Sequence, residues 1–223
     1  MAAVKIITTS DGSHSLLNED LDETYHSANG AIQESTHVFI KNGLDFYIDQ
    51  HRPDTISILE IGFGTGLNAL LTVHHMLTLP ISIHYTTIEA FPVHDKIWPM
   101  LNYTQKLGLH DHFAKLHQSC WESAVQIFPG FTLQKLQTLI ENVQCTPQSY
   151  DLVYFDAFSP NKQPELWTLP VLEKVVNAMR QGAVLVTYCA QGQLKRNLKT
   201  LGLVTETLTG PPGKREMVRG VKP

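Results

Sequence analysis

The sequence predicts an α/β fold: a mostly parallel sheet, covered by helices on both faces, whose last strand runs antiparallel. Three observations carry this. From about residue 55, short apolar β-branched runs alternate with helical stretches, as in strands linked by crossover helices. The run Ile58-Leu59-Glu60-Ile61-Gly62-Phe63-Gly64-Thr65-Gly66-Leu67-Asn68 passes from strand through a glycine loop into a helix. The chain ends on apolar runs at 203–208 and 216–221, joined by Thr209-Gly210-Pro211-Pro212-Gly213. A hairpin there turns the final strand against its neighbours.

Taken in order, runs at 5–9 and 13–17 flank Asp11-Gly12, a hairpin signal. An acidic stretch follows at 18–23, then helical spacing over 28–41 with Gly43 as a stop. Residues 1–50 therefore read as an extension covering the substrate pocket, and 51–223 as the Rossmann-like domain. Strands are predicted at 56–61, 83–88, 113–117, 150–155 and 183–189. Helices are predicted at 66–78, 94–107, 164–180 and 191–201. The stretch 121–149 is long for a crossover and reads as two helical segments, 121–128 and 132–142.

With 43% hydrophobic and 17% charged residues, the composition is that of a globular domain. No apolar run approaches the ~18–20 residues that span a bilayer, and residues 1–10 lack a signal-peptide layout. The cysteines Cys120, Cys145 and Cys189 stand apart, which favours structural thiols in a reduced, cytoplasmic setting. Eleven histidines, from His14 to His117, show no H-E-x-x-H or cysteine–histidine grouping, so no metal site is expected. Net charge is −4, but unevenly spread: −7 over residues 1–60 and +5 over 190–223. A local positive face can exist on an acidic protein.

The loop spacing is G-x-G-x-G, not the G-x-G-x-x-G of dinucleotide sites. Glu60 precedes Gly62 by two residues, and Glu89 ends the next strand 23 residues beyond Gly66, where an acid can accept from both ribose hydroxyls. That pattern is similar to S-adenosyl-L-methionine sites, with NAD the main competitor. Gly62, Phe63, Gly64, Thr65, Gly66 and Asn68 form the cofactor loop, flanked by Glu60 and Glu89.

Tyr150-Asp151-Leu152-Val153-Tyr154-Phe155-Asp156 is an apolar strand ending on a carboxylate, followed by the turn Ala157-Phe158-Ser159-Pro160. An acid at a strand tip beside an aromatic and a proline suits holding an amine next to an electrophile. At the unperturbed pKa of about 3.9, Asp156 would be a feeble base, so orientation and charge stabilisation are its expected work. Phe158 borders the methyl group or stacks on a base, and Pro160 stiffens the turn. Tyr25, Phe91 and Trp167 are candidate stacking platforms for an unstacked base; His26 and His37 are candidates because the extension covers the pocket.

Four segments carry a resemblance that spans nearly the whole chain: Tyr25-His26-Ser27 through Glu34-Ser35-Thr36-His37-Val38-Phe39; 60–68; 156–168; and Lys214-Arg215-Glu216-Met217-Val218-Arg219-Gly220. Together they resemble the tRNA (5-methylaminomethyl-2-thiouridine) methyltransferase family of the MnmD type, similar to the transferase half of bifunctional MnmC. The resemblance implies the class I methyltransferase fold and S-adenosyl-L-methionine-dependent N-methylation of the aminomethyl group of a wobble (2-thio)uridine. It also implies Asp156 beside the amine, and Lys214, Arg215 and Arg219 facing the tRNA anticodon stem-loop. The chain lacks room for the flavin domain of the bifunctional proteins. Many relatives carry Gly-Asp after the third strand, the acid contacting adenine; with that strand at 113–117, this sequence has Gln118-Ser119-Cys120 there, which leaves adenine to Gln118, Ser119 or backbone. Two rivals stand beside this reading: methyl or aminopropyl transfer to a small free amine, and a cofactor-binding RNA adaptor without catalysis.

Overall fold

The computed structural model describes residues 3–223; the first two residues of the predicted extension, and of the stretch read for a signal peptide, lie outside them. Among the described residues the strands form two sheets. The small one joins β1 (Val4–Thr8), β2 (His14–Asn18) and β3 (Glu23–Thr24), all antiparallel. The large one joins β4 (Thr55–Ile61), β5 (Ser82–Ile88), β6 (Ala124–Phe128), β7 (Phe131–Leu136), β8 (Tyr150–Phe155), β9 (Met179–Thr187), β10 (Val204–Thr209) and β11 (Glu216–Val221). Its order is β10-β11-β9-β8-β4-β5-β7-β6. The five central strands are parallel, and β11 runs antiparallel between β9 and β10 as predicted.

Two hydrophobic cores lie on the two faces, and strand alternation assigns residues to them. Ile56, Ile58, Leu152 and Tyr154 enter one core; Leu59, Ile61, Val153 and Phe155 enter the other. Helices α3 (Leu67–Met76), α4 (Tyr103–Leu107) and α5 (His110–Gln118) contribute to the first, and α6 (Leu169–Ala178) and α7 (Gly192–Thr200) to the second. The short α1 (Ala31–Ser35) and α2 (Phe46–His51) are joined by a wide π-helical segment, Thr36–Asp45, in one run that buries Val38, Phe39, Ile40 and Leu44 in the first core. Gly43 lies inside this run and does not stop it: a Cβ there would come within 2.9 Å of Val186 on β9. Its missing side chain lets the helix approach the sheet. The boundary drawn at residue 50 thus falls at the end of a core helix.

Three predicted elements change type. The strand read at 113–117 is α5, which buries Phe113 and Leu116 on one face. The two helical segments read at 121–128 and 132–142 are mostly the hairpin β6–β7, turning at Pro129-Gly130. Alternate residues Phe131, Leu133 and Lys135 are buried on β7; the lysine hides the strand pattern. The third parallel strand is therefore β7, and its tip leads into 137–141. The helix read at 94–107 breaks at Pro99, where a 3-10 turn (Trp98–Met100) ends in extended backbone at Leu101. No described helix is long and apolar enough to cross a membrane.

Candidate active site

The strand tips of the large sheet meet at one level. The register pairs Ile61 with both Ile88 and Phe155, and Ile88 with Leu136. The next residue of each strand is Gly62, Glu89, Asp156 or Gln137. Backbone bonds continue across this edge: Gly62 N–H donates to Ile88 O (2.9 Å), Asp156 N–H to Ile61 O (3.0 Å) and Glu89 N–H to Leu136 O (3.0 Å). Above it opens a cavity of about 880 Å³, within the range of ligand sites. Its wall includes Gly62, Phe63, Gly64, Thr65, Asn68 and Glu89 on one side, and Asp156, Phe158, Tyr188 and Lys214 on the other.

The glycine loop lets a ligand lie close against its backbone. Gly62 has φ +93°, and a Cβ there would lie 2.6 Å from Asp156 O, so this turn is open only to glycine. Glu89 faces the cavity and is fixed by backbone donors: Gly64 N–H to Oε2 (2.9 Å) and Phe91 N–H to Oε1 (2.8 Å). Each oxygen retains a lone pair for a hydroxyl group. Burial raises the Glu89 pKa, opposed by those backbone donors.

Asp156 and Glu60 point to the same sheet face, because 60, 154 and 156 fall on matching register positions. Asn68, in the first turn of α3, donates from Nδ2 to Asp156 Oδ2 at 2.7 Å. Burial pushes Asp156 up to about 7; the nearby Glu34 charge adds to this, while Asn68 and Lys214 oppose it. The sequence reading of a feeble base at its ordinary value therefore does not hold: near neutral pH this carboxyl exchanges a proton readily. Glu60 lies two residues below the edge, fully buried and outside the cavity wall. Burial pushes it up to about 8. Its oxygens are buried together with Asn68 Oδ1, Tyr85 OH and Thr87 Oγ1, and hydrogen bonding from Thr87, Tyr85 and Asn68 offsets only part of the burial, so Glu60 sits as a sealed acid beneath Asn68, behind the cavity wall.

The other expected residues divide. Tyr25 lines the cavity, edge-on to Phe158 (centroids 4.9 Å) and against the Gly64 backbone. His26 and Phe91 also line it; burial lowers His26 to about 4. Gly66 and Pro160 stand behind the wall, and Trp167 is core, its indole N–H donating to Phe158 O at 2.8 Å. Gln118 is corrected: it ends α5, exposed and away from the cavity. With β7 as third parallel strand, the loop after it holds Thr138, Leu139, Ile140 and Glu141, which do line the cavity. His37 is corrected too: Nε2–H donates to Thr209 O at 2.8 Å, and the residue borders a separate hollow.

The basic tail is corrected in part. Arg219 is buried, paired with Glu206 at 2.7 Å and stacked on Phe46, so it braces β10–β11. Arg215 is exposed. Lys214 turns inward: Nζ lies 2.5 Å from Glu34 Oε1 and 3.7 Å from the Tyr188 ring centroid. Cys120 is exposed and so is no core thiol.

Sequence reasoning missed Glu23, Glu34, Tyr188 and His117. Glu23 accepts from Ser159 N–H (3.2 Å) and Ser159 Oγ–H (2.8 Å), clasping the turn after Asp156. Its place in an acidic stretch made it look solvated. His117, held neutral by burial that lowers it to about 3, donates from Nε2 to Thr65 O at 3.1 Å and stacks on Trp98. Nothing local in the sequence ties it to the loop.

A family model described as S-adenosyl-L-methionine-dependent methyltransferase matches residues 109–223, more than half of the chain. The chain belongs to that family. This methyltransferase is similar to the tRNA 5-methylaminomethyl-2-thiouridine biosynthesis bifunctional protein MnmC of Nitrosospira multiformis, 29% identical over 90% of this chain and 34% of the relative. The protein of the same name from Magnetococcus marinus is 30% identical over 90% of this chain and 31% of the relative. The methyltransferase thus spans about a third of the length of these relatives. Among solved structures, MnmC2 from Aquifex aeolicus superposes with a TM-score of 0.83 at 24% identity, covering 100% of this chain and 72% of that one. Spermidine synthase from Thermotoga maritima gives 0.56 at 13%, over 97% and 72%. Both share the fold. The cofactor is S-adenosyl-L-methionine, and the NAD reading falls.

Proposed function

We propose that this enzyme methylates the primary amine of a 5-aminomethyl-(2-thio)uridine at the wobble position of tRNA, giving 5-methylaminomethyl-(2-thio)uridine. The observation that carries this reading is Asp156 at the strand tip, facing a cavity beside the glycine loop, with its carboxyl raised to about 7. The MnmC relatives, named for this nucleoside, support the substrate.

When bound along Gly62–Thr65 and Glu89, the cofactor supplies a methyl group on a sulfonium. The chain's own residues handle the amine. An ammonium has no lone pair; it becomes a nucleophile when its proton passes to an Asp156 oxygen and the N–H electron pair stays on nitrogen. Against an alkyl ammonium, raising the acid from 3.8 to about 7 cuts the mismatch from about six and a half pKa units to about three and a half. Asn68 fixes the carboxylate plane, and Tyr25 with Phe158 forms an apolar wall against which a uracil ring can stack. The extension, described over residues 3–50, acts as the cover of this acceptor pocket, joined to it through Glu23 and Tyr25. The setting is cytoplasmic, where tRNA is found.

Nucleoside mass spectrometry of tRNA from cells lacking the protein tests this: the methylated nucleoside is expected to vanish and the unmethylated amine to accumulate. One observation favours a second reading, transfer to a small free amine. Seven carboxylates line the cavity against a single lysine, a lining that attracts cations and repels phosphates. On the primary reading only the base enters the cavity and the RNA backbone stays outside. A labelled methyl-transfer assay comparing bulk tRNA with small amines separates the two.

A further inference from the structure

The cavity holds one cation that the account above leaves without a role. Lys214 lies in the connection between β10 and β11, yet its side chain lines the same cavity as Asp156. Two groups from distant segments hold it. Glu34 of α1 lies 2.5 Å from Nζ, and its other oxygen accepts from Ser27 N–H at 2.5 Å. The Tyr188 ring, just past β9, lies under the ammonium at 3.7 Å, while the Tyr188 hydroxyl donates to Ala157 O (2.8 Å), next to Asp156. Gly213, the preceding residue, packs against Asn29 of the extension.

We propose that Lys214 is a positioning residue of the amine site: its ammonium, held between Glu34 and the Tyr188 ring in the cavity that Asp156 faces, favours the carboxylate form of Asp156 that can receive the substrate's proton. This rests on the reading of Asp156 as the amine-handling acid.

The balance of charge around Asp156 supports it. Glu60 lies below on β4, Tyr85 behind on β5, Glu34 across on α1, Tyr188 beside on β9, Glu23 over the following turn, and His26 on the extension. All are acids or neutral groups except Lys214, because burial keeps His26 uncharged at neutral pH. Burial and the Glu34 charge favour a protonated Asp156, and a protonated carboxyl can accept nothing from an incoming ammonium. Lys214 is the opposing cation. A lysine free in solution would be screened; one held by a carboxylate and an aromatic face stays in place.

The test reads the carboxyl itself, without substrate or cofactor, so it is independent of whether tRNA is the acceptor. Carbon-13 NMR follows the Asp156 carboxyl, assigned by its loss in Asp156→Asn, through a pH titration of the full chain. Wild type is expected to titrate at about 7. Lys214→Gln moves the midpoint up by about one unit, and Lys214→Arg restores it. Glu34→Gln moves it down, because it removes an anion and leaves Lys214 unneutralised. A merely structural clasp would move neither, or both in one direction, and either result overturns the proposal. Should Lys214→Gln fail to fold, Lys214→Met, uncharged and of similar length, decides: a midpoint above that of Lys214→Arg supports the proposal, while an equal or lower one overturns it. If the midpoints shift as expected and tRNA is still not methylated, the substrate reading fails and this one stands.

Discussion

Glu60 and Asp156 sit on neighbouring strands, point to the same face of the sheet, and share Asn68 as a neighbour. They do different things because one lies two residues, about 7 Å of strand, deeper than the other. Glu60 is sealed beside Tyr85, Thr87 and Asn68, and burial pushes it up to about 8. Asp156 reaches the cavity, bonds Asn68 and is pushed up to about 7. On the proposed function, depth relative to the sheet edge, not residue type, separates a scaffold acid from a working one.

The sharpest way to break this comparison is to remove the exposed member. Asp156→Ala should lower turnover by about 10²–10⁴-fold, while calorimetry finds S-adenosyl-L-methionine affinity within a few-fold of wild type. Unchanged turnover would take the residue out of the chemistry. Next in size is Gly62→Ala, which puts a methyl group against Asp156 O at a positive φ. A loss of roughly 1–3 kcal/mol is expected, read from denaturant unfolding, together with weakened cofactor binding.

Glu60→Gln sharpens the contrast through pH. The folded value of about 8 exceeds the model-compound 4.5, so the folded state holds a proton that the unfolded state has lost between those values. Wild-type stability should therefore fall as pH rises from 4.5 to 8 and level off above. In Glu60→Gln that part of the fall should vanish, with a gain over wild type on the order of a few kcal/mol at pH 9 and little change in turnover at pH 7. Parallel pH–stability curves for the two proteins would contradict a neutral Glu60. The smallest effect belongs to the periphery. Arg215 is exposed, and Arg215→Ala should weaken tRNA binding modestly and reduce the salt slope by about one, as measured by filter binding across a salt series.

What could be read beforehand follows the same division. The strands at 56–61, 83–88 and 150–155, the glycine loop and Asp156 were legible because each is an apolar run ending on a turn or an acid, with both faces buried. The β6–β7 hairpin was not, since buried Lys135, whose Nζ donates to His117 O at 2.6 Å, occupies a core position. That one strand shifts the loop after the third parallel strand from 118–120 to 137–141, which is why the sequence offers Gln118 as a candidate. For Lys214 the basic tail suggests an outward role, whereas its side chain lines the cavity. Its inward turn depends on Glu34 and Tyr188, which lie far away in sequence. Arg219 in the same basic segment is tied to Glu206 by strand pairing, which charge counting cannot see.

The most direct measurement supplies purified enzyme with methyl-labelled S-adenosyl-L-methionine and tRNA bearing 5-aminomethyl-2-thiouridine, then locates the label by nucleoside mass spectrometry. The account predicts one labelled methyl group on the side-chain nitrogen of that uridine with wild type, and none with Asp156→Ala. Label on another nucleoside, or equal labelling by the Asp156→Ala enzyme, would contradict it.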